Sequence, residues 1–307
     1  MRKIAIVGMG RVGGAAAYSI GINQVVDQIV AIDYNNDLAQ MQARDIQEAM
    51  IISGSKTEVI AGGYEQISDA QIMVITAGAP MTKVVDRLEL FDSSQKIIDS
   101  IVDSAKAVGF NGVYVIASNP VDVMSAVVAK HGHIEPHKVI GTGTVLDNAR
   151  LKYELSDALG VKPHLIESLS IGEHGNSIVP LYSLVKIDGK PLNDYLNENN
   201  LNLDLQEITK KVTLAGLNIF QAKGATEFGI GSSITKIVEA IISDSNERLL
   251  VTNCVDIPEV GEVFIPTEVA VGAEGYKSSE LPPMTEEEYE RFIASAQIIV
   301  GFNNQIK

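Results

Sequence analysis

Short, mainly apolar runs alternate with longer helix-like segments through the first half of the chain. Apolar runs of this length are typical of strands that are buried on both faces of a parallel sheet. They predict strands at 3–7, 28–32, 58–61, 72–76 and 113–117, and the segments between predict helices up to about Ile20, at 38–52 and at 88–108. This alternation predicts an α/β fold with a doubly wound parallel sheet.

The pattern changes after the turn Gly141-Thr142-Gly143-Thr144. Longer strands follow, with helices near 205–221 and 232–243 and a terminal helix from about Thr285. We therefore predict a first domain over 1–143 and a second, α+β domain over 144–307. The helix near 232–243 could pack back on the first domain. A cleft between two closely packed domains is the default place for a site.

A glycine-rich turn, GMGRVG, joins the first strand to the first helix. Glycines at this spacing let a backbone approach a pyrophosphate at a helix N-terminus. Gly8, Gly10 and Gly13, with Arg11 and Val12 between them, are therefore candidate cofactor contacts. A tight turn without a ligand is the alternative.

Asp33, at the end of the next strand, favours the cofactor interpretation. A carboxylate there accepts hydrogen bonds from ribose hydroxyls and repels a 2′-phosphate. The pattern predicts a Rossmann domain that binds NAD rather than NADP. A helix cap is the other interpretation of Asp33. Further strand ends at the same edge place Thr76, Ala77, Gly78 and Asn119 among the cofactor candidates.

A histidine flanked by small residues, His174 in GEHGNS, is the candidate proton donor and acceptor. Asp147 and Arg150 in VLDNAR lie three residues apart. One helix face could therefore offer a carboxylate to the imidazole and a guanidinium to a substrate carboxylate. The alternatives are an ordinary turn histidine and a surface Asp–Arg pair.

Together these segments resemble the lactate/malate dehydrogenase family nearly end to end. The resemblance is carried by VGMGRVGGAAAY, TAGAP, DRLEL, SNPVDV, VIGTGTVLDNAR, GEHGNS and KGAT. The resemblance implies hydride transfer between NAD and a 2-hydroxy acid. It implies that His174 is the proton donor and acceptor, that Asp147 is its partner and that Arg150 anchors the substrate carboxylate. It further implies that Asn119 is a ligand of substrate and nicotinamide, that Arg87 polarises the carbonyl from a closing loop, and that Thr226 of KGAT is a further substrate contact.

Met81 occupies the position at which malate enzymes resemble one another in an arginine and lactate enzymes in a glutamine. A thioether cannot pair a second carboxylate, so malate is disfavoured and an aliphatic tail is expected. Met81 and Asn176 together resemble the L-2-hydroxyisocaproate dehydrogenase branch of the family. The expected substrates therefore range from pyruvate to 2-oxoisocaproate. A malate dehydrogenase and a non-catalytic NAD(H) sensor are the alternatives. Lactate enzymes activated by fructose 1,6-bisphosphate resemble one another in a basic residue and a histidine at the positions of Lys152 and Glu167. Because the acid Glu167 would repel a bisphosphate, we do not expect activation by this sugar.

Composition narrows the remaining classes. The 39 acidic and 24 basic residues give a formal charge of −15, which argues against nucleic-acid and anionic-membrane partners. The single cysteine fits a reducing, cytoplasmic location. We predict no metal, and interpret His131, His133, His137 and His164 as solvated loop or strand-end residues. A homo-oligomer, tetramer or dimer, is expected from the resemblance.

Overall fold

The computed structural model describes residues 1–79, 87–278 and 280–303, without the side chains of residues 87–90 and 303. The helices in these ranges are α1 (Arg11–Ile22), α2 (Asn36–Ser53), α3 (Arg87–Ala107), α4 (Val121–Gly132), α5 (Val145–Leu159), α6 (Leu192–Glu198), α7 (Leu205–Lys223), α8 (Phe228–Ile242) and α9 (Glu286–Asn303). The strands are β1 (Lys3–Val7), β2 (Gln28–Ile32), β3 (Glu58–Ala61), β4 (Ile72–Ile75), β5 (Val113–Ile116), β6 (Val139–Gly141), β7 (Ile166–Glu167), β8 (Ser170–Ile171), β9 (Val179–Pro180), β10 (Lys186–Ile187), β11 (Lys190–Pro191), β12 (Glu247–Ile257), β13 (Gly261–Gly272) and β14 (Gly275–Lys277).

Nine of these strands form one sheet in the order β14-β13-β12-β6-β5-β4-β1-β2-β3. The six strands from β3 to β6 are parallel, and β12, β13 and β14 extend the sheet by antiparallel pairing. The strand order reverses between β1 and β4, which is the switch point of a doubly wound sheet. The predicted Rossmann fold is confirmed.

Side chains of the parallel strands alternate between two apolar cores, one on each face of the sheet. On β1, Ala5 and Val7 face the core that contains α3 and α4, whereas Ile4 and Ile6 face the core that contains α1, α2 and α8. Because helices cover both faces, the strands need apolar residues at every position, and this is why they are visible as uninterrupted runs.

The second half of the chain adds small antiparallel sheets, β11-β10-β7 and β8-β9, to α5, α6, α7 and α9. A third core, with Leu151 and Val212 among its buried residues, joins α5 to α7. This confirms the predicted α+β character of the second domain. The division at residue 143 stays a prediction, because Thr252 on β12 pairs with Gly141 on β6 and the large sheet continues across it.

One helix of the second half packs against the first: α8 lies on α1, where a Cβ on Gly231 would lie 3.1 Å from the carbonyl carbon of Ala15. The described helices include none that is long and apolar enough to cross a membrane. Within the same ranges no group of three or more His, Cys, Asp or Glu side chains could hold a metal ion.

The interpretation of His131 as a solvated loop residue is wrong. His131 lies in the last turn of α4, and its ring contacts Asp103 at 2.9 Å and Asp99 at 3.5 Å on α3. The helix was missed because it is buried on nearly all sides, so its sequence is apolar without helical periodicity.

The α8–α1 contact predicts different effects for two helical glycines. Gly231→Val should lower the free energy of unfolding by about 1–3 kcal/mol, because the added methyl groups press on the α1 backbone. Gly301→Val is the matched control, because a Cβ there meets no described atom within 4 Å. This control should keep a free energy of unfolding close to that of the wild type. Urea unfolding at equal protein concentration measures the free energy of unfolding of both variants. An equal decrease in the two variants would contradict tight packing of α8 on α1.

Candidate active site

The glycine turn after β1 is shaped by close backbone contacts. Gly8 has a φ of +99°, and a Cβ on it would lie 2.6 Å from the backbone nitrogen of Ala77. A Cβ on Gly13 would collide with the carbonyl oxygen of Gly8. By contrast, a Cβ on Gly10 meets no described atom within 4 Å, and no side chain caps the N-terminus of α1. The helix end therefore opens onto free space, as a phosphate site requires.

Asp33 lies against this turn. Its Oδ2 accepts a hydrogen bond from the Met9 amide at 2.7 Å, and its Oδ1 accepts one from the Asn35 amide at 2.9 Å. The N-cap of α2 is Asn35, whose side chain accepts from the Leu38 amide. Asp33 is thus not the cap, and its position fits the predicted ribose contact.

The ends of β4 and β5 meet the same turn. The Thr76 hydroxyl donates to the Gly8 carbonyl at 2.5 Å, and Ser118 donates to the Ala77 carbonyl at 2.5 Å. Ala77 leads to Gly78, and Ser118 precedes Asn119, which is exposed and joined to Pro120 by a cis peptide bond. The structure therefore brings these cofactor candidates together at the carboxyl edge of the sheet.

A buried carboxylate joins the candidate catalytic residues. Asp147 on α5 is 5% exposed; its Oδ2 lies 2.5 Å from Nδ1 of His174, and its Oδ1 accepts from Nη1 of Arg150 at 2.9 Å. The imidazole remains 26% exposed. Because Nδ1 faces Asp147, Nε2 is the nitrogen available to a substrate.

Electrostatics favour a protonated imidazole. The charge of Asp147 raises the pKa of His174 to about 9, against the opposing effect of burial. Burial alone would raise the pKa of Asp147, but the charges of His174 and Arg150 and their hydrogen bonds hold it below its usual value. With two cations around one anion, the cluster carries a net positive charge that suits a carboxylate substrate.

The guanidinium of Arg150 is not fully paired within the described structure. Its Nε is buried and has no hydrogen-bond partner among the described residues. Gly216 on α7 makes room for the guanidinium, since a Cβ there would lie 3.2 Å from Nη2. Gly216 was not a sequence candidate.

The loop that carries His174 is fastened at three points. The Gly172 amide donates to the Pro266 carbonyl at 3.1 Å, the Glu173 amide to Ser295 Oγ at 2.8 Å, and the His174 amide to Asp122 Oδ2 at 2.9 Å. Asp122 was also missed, although an acid stood out in the apolar stretch of SNPVDV. A cleft of about 440 Å³ lies beside this loop and includes Asn119 in its lining.

Of the five remaining candidates, the structure describes the side chains of three. Arg11 donates from Nη1 to the Lys223 carbonyl at 3.1 Å, so its guanidinium faces the end of α7, and Val12 packs at the edge of a core. Thr226 lies half-buried in the turn between α7 and α8. Met81 lies outside the described residues. Arg87 begins α3, but its side chain is not described.

Comparisons with known proteins decide the family. The profile described as lactate/malate dehydrogenase, NAD binding domain, matches residues 2–141, and that of the alpha/beta C-terminal domain matches residues 144–301. The chain belongs to the lactate/malate dehydrogenase family. Its cofactor is NAD, and the open end of α1 and the Asp33 carboxylate fit a dinucleotide.

Relatives match over nearly the full length. The chain is 37% identical to L-lactate dehydrogenase 3 of Bacillus cereus over 310 residues, covering 99% of this chain and 98% of that protein. It is 36% identical to the L-lactate dehydrogenase of Borrelia hermsii over 310 residues, with the same coverage of both. Among solved structures, the minor L-lactate dehydrogenase of Enterococcus mundtii in its ligands-bound form has a TM-score of 0.94 and 32% identity, covering 100% and 98% of the two chains. A lactate dehydrogenase from a Medee basin deep-sea metagenome library has the same TM-score and 30% identity, covering 100% and 99%.

The position of Asp33 predicts that this protein prefers NADH to NADPH. The wild type should bind NADH far more tightly than NADPH. Asp33→Ser should reduce the ratio of these two affinities, because it removes the charge that opposes a 2′-phosphate. Asp37→Ser removes an exposed acid from the first turn of α2 and serves as the control. Fluorescence titration of both nucleotides measures the ratios; equal wild-type affinities would contradict the role of Asp33.

Proposed function

We propose that the protein is an NAD-dependent L-2-hydroxy acid dehydrogenase that interconverts pyruvate and L-lactate. The observation that supports this most directly is the shared Asp147 carboxylate, which orients the imidazole of His174 and the guanidinium of Arg150 together. Both curated relatives and both solved neighbours compared above carry lactate dehydrogenase names. A sensor that only bound NAD would have no use for a proton donor beside a carboxylate anchor.

In the reduction, Arg150 holds the carboxylate of the 2-oxo acid, and its fork geometry allows two parallel hydrogen bonds. Bound NADH supplies the hydride that the carbonyl carbon accepts. The carbonyl oxygen takes its proton from Nε2 of His174, and Asp147 stabilises the imidazolium until that transfer. Arg87 is proposed to polarise the carbonyl, and Thr226 and Asn119 to contact the substrate.

This assignment predicts the pH dependence of catalysis. Since the pKa of His174 is raised to about 9, the imidazolium is present below that pH and is lost above it. The kcat/KM for pyruvate reduction should therefore fall as pH rises through about 9, and that for lactate oxidation should rise there. His174→Ala should lower kcat by roughly 10²–10⁴-fold without changing NADH binding, because the lost group handles protons.

His164→Ala is the matched control, since His164 is exposed in a turn. Stopped-flow or steady-state NADH absorbance between pH 6 and pH 10 provides both profiles. Near-normal turnover by the His174 variant, with an unchanged pH midpoint, would remove this histidine from the reaction.

We further propose that the substrate range extends to branched aliphatic 2-oxo acids such as 2-oxoisocaproate, and that oxaloacetate is excluded. The described cleft beside His174 supports this, because its lining includes the apolar Ile298 and Phe302 and, among the described residues, no lysine or arginine. A second substrate carboxylate would find no cation to pair with in this described lining. Met81 is proposed to complete an apolar surface.

A side-by-side assay tests the substrate range. NADH oxidation with pyruvate and 2-oxoisocaproate should exceed that with oxaloacetate, and Met81→Arg should shift activity towards oxaloacetate, because only that variant offers the second carboxylate a partner. Met81→Leu keeps an apolar side chain and should retain the wild-type order. If the wild type prefers oxaloacetate, the malate alternative replaces this proposal; if it binds NADH but reduces none of the three, the sensor alternative does.

A homo-oligomer in the cytoplasm remains part of the proposal. Exposed apolar side chains on three helices support the oligomer: Tyr153 on α5 is 66% exposed, Leu217 on α7 52% and Phe228 on α8 72%. Apolar side chains that stay exposed in one chain are available for contact with a second copy.

A further inference from the structure

A second carboxylate lies behind His174, on the side of its main chain. Asp122 on α4 is 3% exposed; its Oδ2 accepts from the backbone amide of His174 at 2.9 Å, and its Oδ1 accepts from the hydroxyl of Thr252 at 2.6 Å. We propose that Asp122, fixed by Thr252, is a positioning residue that holds the main chain of His174 and favours its imidazolium. The inference rests on the proposed function, in which His174 donates the proton.

The geometry of Thr252 is set by the sheet. Thr252 is fully buried on β12 and pairs with Gly141 on β6. A Cβ on Gly141 would lie 2.7 Å from the Thr252 hydroxyl. Only a glycine at this position therefore leaves room for the Thr252 side chain. The hydroxyl therefore reaches Asp122 from a rigid strand, and Asp122 connects that strand to the loop of His174.

Two carboxylates then fix two ends of one residue. Asp147 faces the ring nitrogen Nδ1 from α5, and Asp122 accepts the main-chain N–H from α4. A histidine held at only one end could rotate about its side-chain bonds or move with its loop. Holding both ends limits the positions of Nε2, which is what a proton transfer over hydrogen-bond distance needs.

The charge of Asp122 acts in the same direction. Burial raises the pKa of Asp122 to about 7, while the Thr252 hydroxyl, the His174 amide and the imidazolium oppose that rise. Above that pH the ionised carboxylate favours the imidazolium of His174, in addition to the larger effect of Asp147.

The groups around this pair are few in the described structure. The charged ones are Asp147 and Arg150 from α5 and Glu173 from the loop itself. From β12, β13 and α9 the facing groups are neutral: the Thr252 hydroxyl, the Pro266 carbonyl and the Ser295 hydroxyl. Removal of the Asp122 charge is therefore expected to lower the proton affinity of His174 without a compensating change nearby.

Kinetics of the complete enzyme give the first test. Asp122→Asn should lower kcat for pyruvate reduction by roughly 10- to 100-fold, since small displacements of a reacting group are costly. It should also move the alkaline midpoint of kcat/KM down by about one pH unit, because a nearby negative charge is lost. NADH affinity should stay unchanged.

Two conservative substitutions of Thr252 test the role of its hydroxyl. Thr252→Val keeps the side-chain volume but removes the donor to Asp122, so the midpoint should move in the same direction by a smaller amount. Thr252→Ser keeps the hydroxyl and should behave as the wild type. Ser295→Ala, which removes the anchor of the Glu173 amide but no charge, should leave the midpoint in place.

A titration without substrate separates this inference from the proposed function. The chain has five histidines, and the spectrum of His174→Ala identifies the ring signal of His174 by NMR. The midpoint of that signal should be lower in Asp122→Asn than in the wild type, whether or not pyruvate is the substrate. A shifted midpoint in a protein that reduces no 2-oxo acid would support the inference and contradict the proposed function.

Two results would overturn the inference. One is a folded Asp122→Asn variant that is less stable but keeps the wild-type midpoint and kcat, which is the behaviour of a merely structural residue. The other applies if Asp122→Asn does not fold: Thr252→Val with a wild-type midpoint and rate would show that the connection to β12 does not act on His174.

Discussion

The site depends on one buried carboxylate that two cations share. An isolated charge at the position of Asp147 would be costly, and its burial is tolerated because the imidazole of His174 and the guanidinium of Arg150 face its two oxygens. The same contacts orient both partners. The three residues come from two distant segments, so the fold must bring α5 and the loop of GEHGNS together before the chemistry exists.

The parallel sheet supplies the other half of the arrangement. Val7 pairs with both Ile32 and Ile75, and Ile75 pairs with Ile116, so these four strands end at one level. The residues that follow them are therefore neighbours at the carboxyl edge, where the glycine turn lies. The second half of the chain continues this sheet through β12, which places Thr252 behind the histidine loop. The glycine turn and the proposed proton donor are thus positioned by one continuous structure.

Much of the fold could be predicted from the sequence because the parallel strands are buried on both faces; the predicted strand 28–32, for example, agrees with the structure residue for residue. Helix α4 was not visible, since burial on nearly all sides removes helical periodicity. Site residues in compact motifs were found, whereas contacts between distant segments were not. The hydrogen bond between Thr252 and Asp122 joins residues 130 positions apart, so no local sequence pattern predicts it.

The charges of the site connect its chemistry to its selectivity. With His174 protonated, the cluster of His174, Arg150 and Asp147 has one excess positive charge, which one substrate carboxylate neutralises. When the proton is given to the substrate oxygen, these three side chains together become neutral. Under the proposed function, a second substrate carboxylate would find no further cation among the described residues that line the cleft. In the proposed function, the arrangement that keeps His174 protonated therefore also favours 2-oxo acids with a single carboxylate.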